Sequence, residues 1–560
     1  MTRACSLGLD FGTTSARALV VETSTGRERG SAVVDYRHGV IDAALPGTGA
    51  KLPADWALQH PGDYLESAGL AVPRALAAAG VGAPDIRGVG VDFTSCTILP
   101  VDARGRALCL LPEWAARPHA WVKLWKHHAA QPQADRINTI AAFRGEAFLA
   151  DYGGKTSSEW LVAKALQVLE EDEAVFDAAA SFVEAGDWLV QELSGVLVRN
   201  SCGAGYKGFW SRERGFPSRE FLAALDRRFA GLSEKLGGEI TPPGRRVGGL
   251  TEAAAARLGL APGTAVAAAI IDAHSAVPAA TVVTPGRMVM VMGTSTCHML
   301  LADRHAVVEG VGGVVRDGIV EGYFGYEAGQ PAVGDIFGWF ARLVGAGDFA
   351  ALERDAAACP PGGRGLLALD WWNGNRSVLV DANLSGLIVG LTLSTTAAEI
   401  YRALIEATAF STRRILEAFE ARQIPVEELI AVGGLAERSP LLLQIYADVT
   451  RRPIALADTA NASALGAAML GAVAAGAERG GHASFVDAAR SMAHLKETII
   501  APDAGAAAAY DALYRDWIEL HDHFGRGGTD VMARLRRGVR SENFGFSDAG
   551  KTPKKPDLTP

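Results

Sequence analysis

The chain has 560 residues, 49% hydrophobic and 21% charged, with a formal net charge of −9. That length exceeds a single hydrophobic core and predicts about two to four domains of an ordinary soluble globular protein. The acidic balance, with no basic stripe ahead of the short tail, excludes a nucleic-acid partner, so any phosphate site must be made locally from amides, hydroxyls and a cation.

Six scattered cysteines without a CxxC pair, and no secretory leader, lead to the expectation of free thiols in a reducing, cytoplasmic setting. The most apolar window, AVAAAIIDA at 265–273, is too short to span a membrane and contains an Asp.

In chain order, residues 1–37 read as a three-stranded meander built around LGLDFGTTSARALVVET (7–23). Between its first two strands lie Asp10, Gly12, Thr13, Thr14 and Ser15. Gly lets the backbone approach a ligand closely, and such a turn presents N–H groups and hydroxyls to phosphate oxygens. Asp10 would repel phosphate unless a divalent cation stands between them, which implies Mg²⁺. An ordinary Gly-turn hairpin fits the same residues. A helix over 62–79 and a buried strand GVGVDF (88–93) follow. Residues 119–225 read as mainly helical, broken at Gly153-Gly154 and at a loop from Asn200 to Trp210. Thr251 is the N-cap candidate of a helix over 252–258, and a strand over 265–271 delivers Asp272 to the start of a helix.

Thr284-Pro285-Gly286 is the best domain boundary by its turn chemistry. Directly after it, RMVMVMGTSTCHMLL (287–301) repeats strand, Gly293-Thr294-Ser295 turn, strand. Two such turns, one in each half, suggest two domains of like plan that present hydroxyl-bearing loops to a shared cleft. Helices over 332–344 and 395–421, a strand over 429–432, Gly433-Gly434, a helix over 439–450, a strand over 453–456 and a helix over 463–474 complete an α/β fold with mixed sheets. Two glycines after a strand suit a flat ring such as adenine, or form a plain strand–helix turn. The small-residue run ASALGAAML (462–470) is expected to pack beside that ligand. Asp272, at a strand end before a helix, stands where open α/β sheets collect ligands, and an N-cap role fits the residue equally.

Three patterns mislead. GFSDAGKT (545–552) satisfies the P-loop letters, but too few residues follow to form the helix the loop requires. DFG at 10–12 leaves no room upstream for the other parts of a protein-kinase site. His127-His128 and His274 lack metal-ligand spacing and read as structural.

DFGTTS, the GTS of the second turn, and GGL with ALGAAM resemble the FGGY carbohydrate kinases of the actin/Hsp70/sugar-kinase superfamily. WALQHPGDYLE, DFTSCT, PHAWVKLWKHHAAQ, GGKTSSEW, EAGDW, RNSCGAGYKGFW, GYEAGQPAVGDIFGWF, DWWNGNRS and LHDHFGR extend the likeness, in order, over roughly 5–538 and toward the branch that phosphorylates ribulose. The resemblance implies two similar domains of the actin-like ATPase (ribonuclease H-like) type, 1–284 for the sugar and 285–545 for ATP. It also implies a cleft between them, while the Pro- and Lys-rich KTPKKPDLTP at the end leads to the expectation of a disordered tail at 546–560. The implied reaction is ATP-dependent phosphorylation of L-ribulose to L-ribulose 5-phosphate in L-arabinose catabolism. Other pentulose or pentitol kinases (D-ribulose, xylulose, ribitol) and a sensor ATPase on the same scaffold are the alternatives.

On that resemblance Asp272 is the general base, Lys207 and Glu327 contact the ketopentose, and the backbone around Ser95 closes the sugar pocket. Asp10 holds Mg²⁺ through water, Thr13, Thr14, Gly293, Thr294 and Ser295 line the ATP phosphates, and Gly433 and Gly434 flank the adenine. Trp125 is assigned to packing, with stacking near the sugar as the alternative. Charge and apolar windows lead to the expectation of no nucleic-acid or membrane partner, and a homodimer is left open. Two positions depart from it: Ser95 is often Ala in the family, and AAAII precedes Asp272 where relatives tend to carry a polar residue.

Overall fold

The computed structural model describes residues 4–346 and 349–540, with the side chains of 537–540 excepted. The expected tail and the GFSDAGKT match lie outside the described residues.

The opening meander forms where apolar alternation places it. Strands β1 (Cys5–Phe11), β2 (Ser15–Glu22) and β3 (Glu28–Asp35) pair antiparallel in sequence order. Strand β4 (Ile86–Phe93) lies parallel to β1, with Asp92 opposite Asp10 and Phe93 opposite Phe11. Strand β5 (Arg246–Gly249) closes the far edge antiparallel to β6 (Ala265–Ala267), while β6 and β7 (Ile270–Ile271) both run parallel to β4. The expected strand over 265–271 is thus two pieces, interrupted at Ala268-Ala269.

The second half repeats the plan. Strands β8 (Gly286–Met292), β9 (Thr296–Ala302), β10 (Gly313–Arg316) and β11 (Phe324–Gln330) are followed by β12 (Val426–Val432), β13 (Ile454–Ala457) and β14 (Leu495–Ile500). Their order across the sheet is β10-β11-β9-β8-β12-β13-β14. Each sheet therefore runs through antiparallel strands to its first strand, three in the first sheet and four in the second with β10 added at the edge, and then has two parallel positions and an antiparallel edge beyond them. The first half also carries a four-stranded antiparallel sheet of short strands, Leu58–Gln59, Val122–Lys123, Ile98–Val101 and Ser181–Glu184. Strands of two to four residues leave too little alternation to be read from the chain.

Six helices matter to the site: α1 (Pro61–Ala79), α2 (Ser201–Gly208), α3 (Asp272–Ala279), α4 (Gly334–Leu343), α5 (Gly434–Arg438) and α6 (Ala462–Ala475). The expected loop from Asn200 to Trp210 is helical over most of its length. Asn200 caps α2 by accepting from the Gly203 N–H at 2.6 Å, and Phe209 ends it in the left-handed region at φ 62°. Three glycines concealed that helix, because each lowers helix propensity by about 1 kcal/mol relative to Ala.

Helix α6 belongs to the second half but packs on the first sheet. Added Cβ atoms at Gly8 and Gly90 would overlap the carbonyl oxygens of Ala464 and Ala467. Its small residues therefore serve backbone-to-backbone packing against β1 and β4. Ser275 on α3 adds a hydrogen bond to the Ser463 carbonyl at 2.9 Å. No helix among the described residues is long and apolar enough to cross a membrane. Gly90→Val is expected to cost about 3 kcal/mol or more, the upper range for overpacking. Chemical denaturation of the full chain measures it, and unchanged stability would contradict the close approach.

Candidate active site

Both Gly-Thr turns are held from behind through their carbonyls. In the first, the Gln59 amide donates to the Thr13 carbonyl at 2.8 Å, the Tyr36 hydroxyl to Gly12 at 3.1 Å, and the Tyr36 N–H to Thr14 at 2.8 Å. The Trp125 indole N–H also reaches the Thr13 hydroxyl at 3.0 Å, which sets this ring at the turn. In the second, the N-terminal region of α4 does the same work. Val333 and Asp335 donate to the Thr294 carbonyl at 2.9 and 3.2 Å, and Gly334 to Gly293 at 3.1 Å. The N–H groups of Thr13, Thr14, Thr294 and Ser295 have no acceptor among the described residues. Each turn thus presents unpaired donors, the condition for an anion-binding concavity. Gly433 (φ 104°) sits against the second turn's root, where a Cβ would meet the Met292 carbonyl oxygen at 2.6 Å, and Gly434 opens α5.

Three carboxyl groups stand at neighbouring strand ends. Asp10 and Asp92 are register partners, Asp92 also pairs with Ile270, and Asp272 follows two residues later as the first residue of α3. Asp92 is fully buried, and neither of its oxygens has a hydrogen-bond partner. Burial, followed by the charges of Asp10 and Asp272, drives its carboxyl well above the ordinary range. Burial also raises Asp10, opposed by the neighbouring Asp92 and by Arg17. Asp272 is pushed up to about 7, first by burial, with Asp10 and Glu327 adding to it. The Ala273 N–H, donating at 2.7 Å, and Lys207 oppose the rise. Sequence reading gave Asp92 no role. The available signal was the Asp-Phe pair recurring in LDFGTTS and VDFTSCT, now side by side, with Phe11 and Phe93 stacked at 5.3 Å.

Facing these acids is a buried ion pair. Lys207, near the end of α2, reaches both Glu327 oxygens on β11 at 2.9 and 3.2 Å. His274, read from sequence as structural, lies 3.4 Å from Glu327 and packs on Tyr206 with ring centroids 4.3 Å apart. Burial would raise Glu327, but Lys207, His274 and Arg376 hold it down to about 2. Burial lowers His274 to about 4, so this imidazole is neutral at pH 7. Ser95 is half-buried and adjoins Cys96, which lies within electrostatic reach of Lys207. Its carbonyl accepts from Thr97 at 3.3 Å, and Lys164 fixes the neighbouring Cys96 carbonyl at 2.6 Å. Asp272 and Lys207 both act electrostatically on Cys297, two residues past Ser295, and this ties the acid, the ion pair and the second turn to one cleft. Donor-rich turns on one side and a fixed array of hydrogen-bonding groups on the other suit transfer of a phosphoryl group to a polyhydroxy compound.

Residues 288–475 match the model of the FGGY family of carbohydrate kinases, C-terminal domain. A ribulokinase of Geobacillus thermodenitrificans is 54% identical over 543 residues, covering 95% of this chain and 96% of that protein. A ribulokinase of Mycolicibacterium smegmatis is 48% identical over 545 residues, covering 95% of each. Among solved structures, the xylulose kinase of Rhodospirillum rubrum superposes with a TM-score of 0.77 at 25% identity, covering 92% of this chain and 98% of that one.

Lys207→Met strands the Glu327 carboxylate in a buried site. The expected loss is about 3–5 kcal/mol, most of it recovered in Lys207→Met/Glu327→Leu. Thermal and denaturant unfolding of the two variants check this. A single variant as stable as the parent would contradict the pairing.

Proposed function

The chain belongs to the FGGY family of carbohydrate kinases, and we propose that it phosphorylates L-ribulose with ATP to give L-ribulose 5-phosphate, the ribulokinase step of L-arabinose catabolism, in the cytoplasm. Its two α/β units have the actin-like ATPase plan. We place their division at 284/285, with the sugar held mainly by the first unit and ATP by the second. The observation that supports this reading is an Asp272 carboxyl within electrostatic reach of Asp10, beside the first turn of unpaired N–H donors, and of the buried Lys207–Glu327 pair.

In this reading the amides and hydroxyls of Thr13, Thr14, Thr294 and Ser295, with the backbone of Gly293, hold the ATP phosphates. Gly433 and Gly434 admit the adenine against the backbone. Lys207, Glu327 and the backbone around Ser95 orient the ketopentose. Asp272 accepts the proton of the attacking sugar hydroxyl as its oxygen bonds to the γ-phosphorus and the bond to the ADP oxygen breaks. Mg²⁺ fits the acidic end of the cleft: hard oxygen donors are what the ion selects, and Asp92 leaves two buried oxygens there without a donor. Asp10 would hold the ion, with Asp92 behind it. When bound, it supplies charge neutralisation of the phosphates.

The test is ADP release by the full chain over a panel of pentuloses and pentitols. L-ribulose is expected to give the highest kcat/KM; ATP hydrolysis that no sugar stimulates would contradict the reading. Asp272 must be ionised to act and its carboxyl titrates at about 7. So kcat/KM is expected to rise with pH through about 7, level off above it, and fall about tenfold per pH unit below. Asp272→Asn is expected to lower turnover at least ~10²-fold, the scale of a lost general base, while ATP affinity is retained. Near-normal turnover in that variant would contradict the assignment.

A further inference from the structure

Arg376 is the cation at this cleft that no described residue neutralises at contact distance. Its loop is firmly seated. The Ser377 hydroxyl accepts from the Gly329 N–H at 3.2 Å, and Asn375 and Asp381 exchange two backbone hydrogen bonds of 2.9 Å. At its start, Asp370 accepts from Ser411 at 2.5 Å and from Gln330 at 3.0 Å. From this base the Arg376 side chain crosses β11. Its Cδ and Nη1 lie 3.4 and 3.5 Å from where a Cβ on Gly329 would stand. Gly329 is two residues from Glu327 on the same strand face, roughly 7 Å along it, and is the register partner of Cys297 on β9. The guanidinium is half-buried, with no hydrogen bond and no carboxylate in ion-pair contact among the described residues. The charged or ionisable groups acting on it are Cys297, Glu159, Glu327 and Cys96, two from each half of the molecule.

A half-buried guanidinium without a protein acceptor keeps its N–H donors available to a ligand entering the cleft. Lys207 is already bound to both oxygens of Glu327, so Arg376 is left as the donor that is not committed. Its neighbours place it on the sugar side: Cys96 adjoins Ser95, Glu327 is the sugar-side carboxylate, and Asp10 is absent from its immediate surroundings. The two classes of acceptor in the proposed panel differ in one group. A pentulose carries a carbonyl oxygen that can only accept, where a pentitol carries a hydroxyl that both donates and accepts. Arginine has five N–H donors and no acceptor, so it matches the first.

We infer that Arg376 binds the sugar and sets a preference for ketoses, its guanidinium donating to the carbonyl oxygen that a pentulose has and a pentitol lacks. This rests on the pentulose-kinase reading above.

The experiment is steady-state kinetics on L-ribulose and on ribitol for the full-length wild type, Arg376→Met and Arg376→Lys, with direct titration of L-ribulose binding by tryptophan fluorescence. Arg376→Met is expected to raise KM and Kd for L-ribulose about 10- to 100-fold, the scale of a lost hydrogen bond to a charged donor. Its kcat and ATP affinity should change little, and its preference for L-ribulose over ribitol should shrink by a similar factor. Arg376→Lys, which keeps the charge but not the fork, should fall between. Equal losses on both substrates, a loss confined to kcat or to ATP binding, or an unchanged KM in a wild-type-like background would overturn the inference alone. A wild type inactive on every pentulose would overturn the parent reading and this inference with it.

Discussion

Everything in the cleft depends on how closely one helix of the second half approaches the first sheet. Helix α6 lies against β1 and β4 at Gly8 and Gly90, where side chains of any size would collide with its carbonyls. Each of those glycines is two residues from a cleft carboxylate, Asp10 on β1 and Asp92 on β4. The same helix meets α3, the helix that begins with Asp272, through Gly466 and the Ser275–Ser463 hydrogen bond. A packed interior transmits displacement instead of absorbing it, so this seam sets where the three acids stand relative to the second turn. Arg17, opposite Asp10 on β2, reaches Asn461 just before α6 and adds a polar stitch at the same seam.

Charge is divided along the cleft. At one end, Asp10, Asp92 and Asp272 stand without a basic partner in contact; burial raises all three, and the charges of Asp10 and Asp272 raise Asp92 further, a condition relieved by protons or by a cation. At the other, Glu327 is held ionised by Lys207, with neutral His274 and unpaired Arg376 beside it. Asp272 lies between the two ends, where burial lifts it to about 7, the range in which a carboxylate serves best as a base near neutral pH.

The two turns, the doubled sheet plan and the position of Asp272 were legible because each depends on local chemistry: Gly and hydroxyls between apolar alternating runs, then Asp at a strand–helix junction. What stayed hidden depends on tertiary contact. Helix α2 contains three glycines and forms because Asn200 caps it and the surrounding core covers it. The close packing of ALGAAM on the first sheet stayed hidden because small residues fit a ligand and a neighbouring backbone equally well, and only the fold shows β1 and β4 beside it. His274 lacks metal-ligand companions in sequence, while its real neighbour, Glu327, comes from a strand 53 residues on. Asp92 and Arg376 are each ordinary in their own stretch; their meaning lies in standing unpartnered at the cleft, the one buried and the other half-buried.

The most direct measurement is a crystal structure of the full chain with L-ribulose, Mg²⁺ and a non-hydrolysable ATP analogue. The expected result puts the terminal phosphate between the amides of Thr13–Thr14 and Thr294–Ser295, with a sugar hydroxyl about 2.6–3.2 Å from the Asp272 carboxylate. A nucleotide bound away from those two turns, or a sugar whose hydroxyls all point away from Asp272, would contradict it.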